Sequence, residues 1–327
     1  MCKKAFVTGA TGFIGINLVK LLIKEGWHVT ALHRSSSKLS ELKKYPVDLV
    51  EGSVTKPRSL QNKIPENAEV LFHLAADTSV WSRYNERQTN VNVVGTQNMI
   101  RAATQKGINT FIYTSSVSAW GHNISGTITE ETTQKGNESW VNYERSKWAG
   151  EREALKGLEQ GMKVVILNPS TVIGPHDANN WGRLFFALHD GSMPGIIPGN
   201  ISVAHVEHVA QAHLSAVENG RSGDRYILGG DHCKFSDFIT TMCRVADISK
   251  VPPTIPVPLL KLAARFAVVK AYITGNEHDL TPELAAMLTR EACYSSQKAK
   301  RELGYTIPSM QTSVTDCYRW LKEKQLL

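Results

Sequence analysis

Cysteine is scarce in this chain of 327 residues, and long uncharged apolar runs and blocks of like charge are missing. The five cysteines (Cys2, Cys233, Cys243, Cys293 and Cys317) are scattered, odd in number and never spaced as a CxxC pair. That excludes a disulfide framework and a cysteine zinc site, and it fits a reducing cytosol, so a cytoplasmic location is expected. The most apolar stretch, Ile255 to Thr274, is interrupted by Lys261, Arg265 and Lys270 and carries Pro256 and Pro258. Charges at roughly helical spacing predict an amphipathic helix there rather than a membrane span. Lys and Arg (37) exceed Asp and Glu (30) by seven, yet no five or six basic residues stand together. So thin an excess argues against a nucleic-acid partner and suits a small phosphate-bearing ligand. Met1 to Lys4 leads straight into a strand pattern and leaves no room for a signal peptide. Neither a long repeat nor a low-complexity tract occurs.

What is present is alternation. Lys4 to Thr8, His28 to His33, Val47 to Val50, Val70 to Leu74, Thr110 to Thr114 and Lys163 to Asn168 are short β-rich runs. Helical patterns such as Ile14 to Lys24 and Glu86 to Gln105 separate them, and Gly26, Gly107 and Gly161 stand where helices should stop. Strand, helix and strand in repeated order predict an α/β fold with a Rossmann doubly wound parallel sheet. After Asn168 the rhythm breaks, and helical patterns run from Phe235 to the C-terminus. Residues 1–168 are expected to form a dinucleotide-binding domain and 169–327 a smaller, mostly helical substrate lobe. A segment near 203–230, with the strand-like Arg225 to Leu228, is expected to return to the sheet.

The first strand runs into Thr8-Gly9-Ala10-Thr11-Gly12-Phe13-Ile14-Gly15, where a helix opens. Gly9 permits a tight bend, Gly12 close approach of backbone to a pyrophosphate, and Gly15 close packing of helix on strand. The helix N-terminus offers unpaired N–H groups to the phosphates. After the second strand, where an NAD-specific protein carries an acid, this chain has His33-Arg34-Ser35-Ser36-Ser37-Lys38. No carboxylate repels a 2′-phosphate there, and Arg34 with Lys38 can pair with one, so NADP(H) is expected over NAD.

Tyr143 and Lys147 stand at i and i+4, on one face of a helix that follows the fifth strand. Ser116 falls at the carboxyl end of that strand, where open α/β sheets bind ligands. With the loop at 8–15, these residues resemble the extended short-chain dehydrogenase/reductase family. The likeness continues through His73-Leu74-Ala75-Ala76, Asn92 to Thr96, Asn168 to Pro175, Val203 to Ala210 and Ser295 to Tyr305. Asn168-Pro169 and the basic turn at Arg34 look most like its dihydroflavonol-reductase-like branch. The stretch His73 to Arg87 also looks like bacterial proteins labelled as hopanoid-associated sugar epimerases.

The resemblance implies roles. Tyr143 would be the general acid or base at a carbonyl or alcohol oxygen, and Ser116, five positions before Gly121, would hydrogen-bond that oxygen. Lys147 would hold the cofactor ribose and lower the phenol's pKa, with Asn92 supporting it through a water or a backbone kink. A phenol titrates near pH ~10, so making it a base near neutrality needs roughly 4 kcal/mol of preferential phenolate stabilisation. Thr11, Phe13, Ile14, Ser53, Val54, Leu74, Ala75, Ala76, Pro169 and Val172 join the glycines as expected cofactor contacts. Ser53 replaces the aspartate the family often has beside the adenine. Val117-Ser118 replaces the acidic pair of its sugar dehydratases and disfavours elimination.

Three functions remain open on the sequence: an NADP(H)-dependent reductase or alcohol dehydrogenase for a ketone, aldehyde or secondary alcohol; a nucleotide-sugar epimerase with bound NAD; and a non-catalytic NADP sensor. His205, Glu207 and His208 invite a metal reading, but no further ligand stands at a fixed spacing, and no metal is expected. Trp81, Trp120, Trp140, Trp181, Phe185 and Phe186 are candidates either for the substrate pocket or for the core. The resemblance also raises a homodimer built through the helices near 86–105 and 143–160.

Overall fold

The computed structural model describes residues 3–256, 258–259 and 281–327. Most of the stretch expected to be an amphipathic helix, including Lys261, Arg265 and Lys270, lies outside the described residues, as does Cys2.

Seven strands form one parallel sheet: β1 (Lys4–Thr8), β2 (His28–His33), β3 (Asp48–Glu51), β4 (Val70–His73), β5 (Thr110–Thr114), β7 (Lys163–Pro169) and β10 (Arg225–Leu228). Their spatial order is β3-β2-β1-β4-β5-β7-β10. All neighbours run parallel, with Thr8 opposite both Leu32 and His73. The order reverses direction between β1 and β4, which opens a crevice at the carboxyl ends of those strands.

Successive residues of a strand face opposite sides of a sheet, and both sides of this one are covered. Val7, Phe72, Ile112 and Val165 pack with Leu18, Val19 and Leu22 of α1 (Phe13–Lys24) and Val209, Ala212 and Ala216 of α6 (Val206–Asn219). Their strand neighbours Phe6, Leu71, Phe111 and Ile166 pack with Met99 and Ala103 of α3 (Gly95–Gln105) and Ala154 of α4 (Asn142–Leu155). A short helix α2 (Asn85–Thr89) leads into α3 through a π-helical turn, Asn90–Val94. Gly26, Gly107 and Gly161 all carry φ between 65° and 78°, the left-handed conformation that stops a helix before the next strand.

Beyond β7 the chain builds smaller elements. β8 (Thr171–Ile173), β9 (Asn200–His205) and β11 (Asp231–Lys234) form a three-stranded sheet. A third apolar cluster joins Phe185 of α5 (Leu184–His189), Phe238 and Met242 of α7 (Phe235–Val245), and Val314 and Leu321 of the C-terminal helix (Met310–Glu323). β10 returns to the large sheet, with Leu228 opposite Pro169. The sequence suggested helix throughout the C-terminal third, but β12 (Glu291–Tyr294) interrupts it and pairs in parallel with β6 (Ser125–Ile128). Two flanking helices are α8 (Pro282–Leu288) and α9 (Gln297–Leu303), so the C-terminal helix is α10. Four residues are too few to display a period, and the partner strand that stabilises them lies far away in sequence.

Candidate active site

The glycine loop sits at the crevice between β1 and β4. Gly9 has φ +68°, and a Cβ there would meet the Leu74 and Ala75 backbone at 2.6 Å. A Cβ on Gly15 would lie 2.2 Å from the Gly9 carbonyl oxygen. Only glycine fits either place. Gly12 donates its N–H to Gly9 O at 2.9 Å and stands at the N-cap of α1, where no side chain caps the helix and no acid occupies the first turn. The N–H groups around Thr11, Phe13 and Ile14 thus border an uncapped, electropositive helix end. Leu74 and Ala75 close the loop from the other side, donating N–H groups to the carbonyl and hydroxyl of Thr8. Arg34 and Lys38 lie just past the end of β2, both exposed and without a side-chain partner among the described residues. This cradle fits a dinucleotide pyrophosphate, with two unpaired cations at the adjacent strand end.

At the end of β5, Ser116 makes two local commitments: its hydroxyl accepts from Ser118 N (3.1 Å) and its carbonyl from Asn168 Nδ2 (3.0 Å). The Ser116 side chain also acts on the Tyr143 phenol, lowering its pKa. The adjacent Ser115 turns away and donates to Glu151 at 2.6 Å. Ser116, not Ser115, is therefore the serine that acts on Tyr143. Burial pushes the Tyr143 phenol above its ordinary range; Ser116 and the Arg290 cation pull the other way, and Glu144 and Asp77 add to the rise. Lys147 is buried and donates Nζ to Thr114 O at 3.1 Å. Burial lowers its pKa to about 8, partly offset by Glu151.

A run of buried hydrogen bonds ties this group to the loop. Ala75 N–H donates to Thr8 Oγ1, whose hydroxyl lies 2.7 Å from His73 Nδ1; His73 Nε2 lies 3.1 Å from Thr96 Oγ1, which donates to Asn92 O at 2.8 Å. The Asn92 carbonyl can only accept, so Thr96 donates to it, which assigns the Nε2–H tautomer to His73. Burial first and Lys147 second lower the His73 pKa to about 3, so the ring is neutral. The Asn92 side chain holds the main chain of Asp77, accepting at 2.8 Å and donating at 2.9 Å, and also donates to Ser146. Asn92 sits in the π-helical turn, and its side chain serves the loop after β4 and Ser146.

Glu151, one turn beyond Lys147 and fully buried, gathers Ser115, Asn168, Gln134 and Arg225 at 2.6–2.9 Å. It locks α4 to the ends of β5, β7 and β10. The other expected contacts also have structural partners. Ser53 Oγ pairs with Thr55 at 2.9 Å, Val54 and Val172 are buried, and Pro169 ends β7 opposite Leu228. Ala76 follows Ala75 at the crevice. Trp81, Trp120 and Phe185 are buried, Trp181 and Phe186 pack on the third cluster, and Trp140 alone of the six is largely exposed (53%). His205 and His208 reach Asp316 (3.3 Å) and Thr306 (2.6 Å), tying the start of α6 to C-terminal segments. Two groups carried no expected site role: His73, which stands only as the first residue of the His73-Leu74-Ala75-Ala76 stretch at the end of a strand, and Arg290, which had no signal.

A parallel sheet with a glycine cradle at its switch point and a serine, tyrosine and lysine at the same edge defines an enzyme of the nucleotide-binding oxidoreductase type. The chain belongs to the NAD dependent epimerase/dehydratase family, whose model matches residues 5–229. It is 33% identical to the "Putative dihydroflavonol 4-reductase" of Synechocystis sp., covering 97% of this chain and 94% of that one. It is 26% identical to a 2-alkyl-3-oxoalkanoate reductase of Stenotrophomonas maltophilia, covering 98% of each. Among solved structures, gox2253 superposes with a TM-score of 0.83 at 31% identity, covering 98% of both chains. No helix among the described residues is long and apolar enough to cross a membrane.

Proposed function

We propose that the protein is an NADP(H)-dependent oxidoreductase that moves hydride between the nicotinamide and a ketone, aldehyde or secondary alcohol. The observation that carries this reading is the buried Lys147, one helical turn from Tyr143, donating Nζ to Thr114 O two residues before Ser116, whose side chain lowers the Tyr143 phenol, at the same sheet edge as the glycine cradle. The relatives named as reductases support the direction of the chemistry.

When bound, the nicotinamide would supply or accept the hydride. Gly9, Gly12 and Gly15 would seat the pyrophosphate with the N–H groups of Thr11, Phe13 and Ile14, and Arg34 with Lys38 would hold a 2′-phosphate. Ser116 would donate to the substrate oxygen and fix its position. The Tyr143 phenol, kept protonated by burial, would deliver its proton to that oxygen as negative charge develops. In the reverse direction Tyr143 needs the cationic Lys147 to stabilise the phenolate. Asn92, by holding Asp77, would keep the loop after β4 closed on the cofactor.

A nucleotide-sugar epimerase with retained NAD is the second reading, favoured by the family's own description. Titration with NADPH and NADH by tryptophan fluorescence, with an assay for nucleotide released on denaturation, separates the two. Exchangeable NADPH preferred over NADH, with the preference reversed in Arg34→Asp, is expected. Stoichiometric NAD released from the purified protein would transfer the assignment to the epimerase. Tyr143→Phe should lower carbonyl turnover by about 100-fold or more while NADPH still binds.

A further inference from the structure

Arg290 lies between α8 and β12, half-buried, with its guanidinium carbon 5.3 Å from the centroid of the Tyr294 ring. Thr281 at the start of α8 donates to Val80 O at 2.9 Å, which anchors this segment to the loop after β4, beside the catalytic edge. Arg290 Nη1 is buried and has no hydrogen-bond partner, and the same holds for the hydroxyl of Tyr294, itself 6% exposed. Tyr294 packs in one buried cluster with Val117, the residue after Ser116, and with Trp120, and the Arg290 charge pulls down the phenols of both Tyr143 and Tyr294.

The acids that also act on Tyr143 are engaged elsewhere. Asp77 takes Arg87 at 2.6 Å, and Glu144 Oε2 takes the ring and main-chain N–H of His122 at 2.7 and 3.0 Å. Glu144 Oε1 has no partner, so a water shared by it and Tyr294 is the rival occupant of this space. Two buried donors left unpaired cost roughly 1–3 kcal/mol each, a cost a ligand with acceptor oxygens would remove. A guanidinium fork matches the two oxygens of a carboxylate, and a single cation suits a single negative charge better than a diphosphate.

We propose that Arg290 and Tyr294 form a seat for a carboxylate that the substrate carries close to the carbonyl or alcohol reacting at Ser116 and Tyr143. The inference rests on the oxidoreductase reading and narrows its substrate to oxo or hydroxy acids.

Hexanoate and hexanamide, which differ in charge and little in shape, test it by calorimetric titration of the NADP-saturated protein. Hexanoate should bind at least tenfold more tightly than hexanamide. Arg290→Gln should erase that preference and Arg290→Lys should keep part of it, with NADPH binding and melting temperature showing that both variants are folded. Equal binding of the two probes, binding of neither, or a preference that survives Arg290→Gln overturns the proposal. Turnover of 3-oxohexanoate and its methyl ester then separates the two claims. Reduction of both at equal efficiency removes the carboxylate seat and leaves the oxidoreductase. Reduction of neither, with Arg290-dependent hexanoate binding intact, removes the oxidoreductase and leaves the seat.

Discussion

Lys147 shows what a buried charge costs the fold. Its folded pKa, about 8, is lower than that of an exposed lysine, so between pH 8 and 10.5 the unfolded chain holds a proton that the folded one has released. Stability therefore rises with pH across that window, and at pH 7 the full cost of the buried charge is present. Lys147→Met should lift this cost, up to about 3 kcal/mol less the lost bond to Thr114 O. A melting temperature several degrees above wild type at pH 7, with the advantage shrinking toward pH 10, is expected from an inactive protein. A lower melting temperature at pH 7 would show that Lys147 is stabilised by partners that outweigh its burial. Tyr143 and Lys147 were legible in the sequence because i, i+4 spacing survives into any helix. The state of Tyr143 was not, since its phenol is set by burial and by Ser116 and Arg290, two side chains from other elements.

Among the elements, α1 and α4 carry the site in different ways. α1 meets the sheet through contacts that admit no side chain, so Gly15→Ala must displace the Gly9 carbonyl. NADPH affinity in that variant should fall more than tenfold, and titration at matched folded fraction checks it. An unchanged affinity would mean the loop is not the nucleotide seat. α4 is held from its buried face by Glu151. Glu151→Ala leaves the half-buried Arg225 without its acceptor and Asn168 with Ser116 O alone, and should destabilise by about 3–5 kcal/mol, read from the urea midpoint. A change below about 1 kcal/mol would show that Arg225 swings to solvent at no cost. The loop around Gly9 could be read from sequence because its glycines lie within seven residues. The Glu151 cluster could not, because its partners stand at 115, 134, 168 and 225 and only the strand order brings them together. β12 is illegible in the sequence for the same reason: its stability comes from β6.

Across the whole molecule, three buried imidazoles make the fold sensitive to acid. Burial lowers His73 to about 3, and His213 and His176 each to about 4. Each stays neutral in the folded state at pH values where the unfolded chain has taken a proton. Stability is therefore complete above about 6.5 and declines as pH falls toward 4, by about 1.4 kcal/mol per pH unit for each group. Urea midpoints measured from pH 7 to 5 should drop steadily, and His213→Gln should lessen the slope. A midpoint flat over that range would mean the rings are protonated and paired in the folded protein.

The sequence by itself determined the alternation of strand and helix, the glycine cradle and the Tyr143–Lys147 face. Each of these depends on residues close together along the chain, where backbone sterics and helical periodicity act directly. The tertiary structure alone decided that Asn92 holds Asp77, that His73 is neutral, and that the Arg290 charge acts on Tyr143. Those outcomes depend on desolvation and on contacts between residues tens to hundreds of positions apart. They exist only once the parallel sheet has ordered its strands and β12 has been laid beside β6.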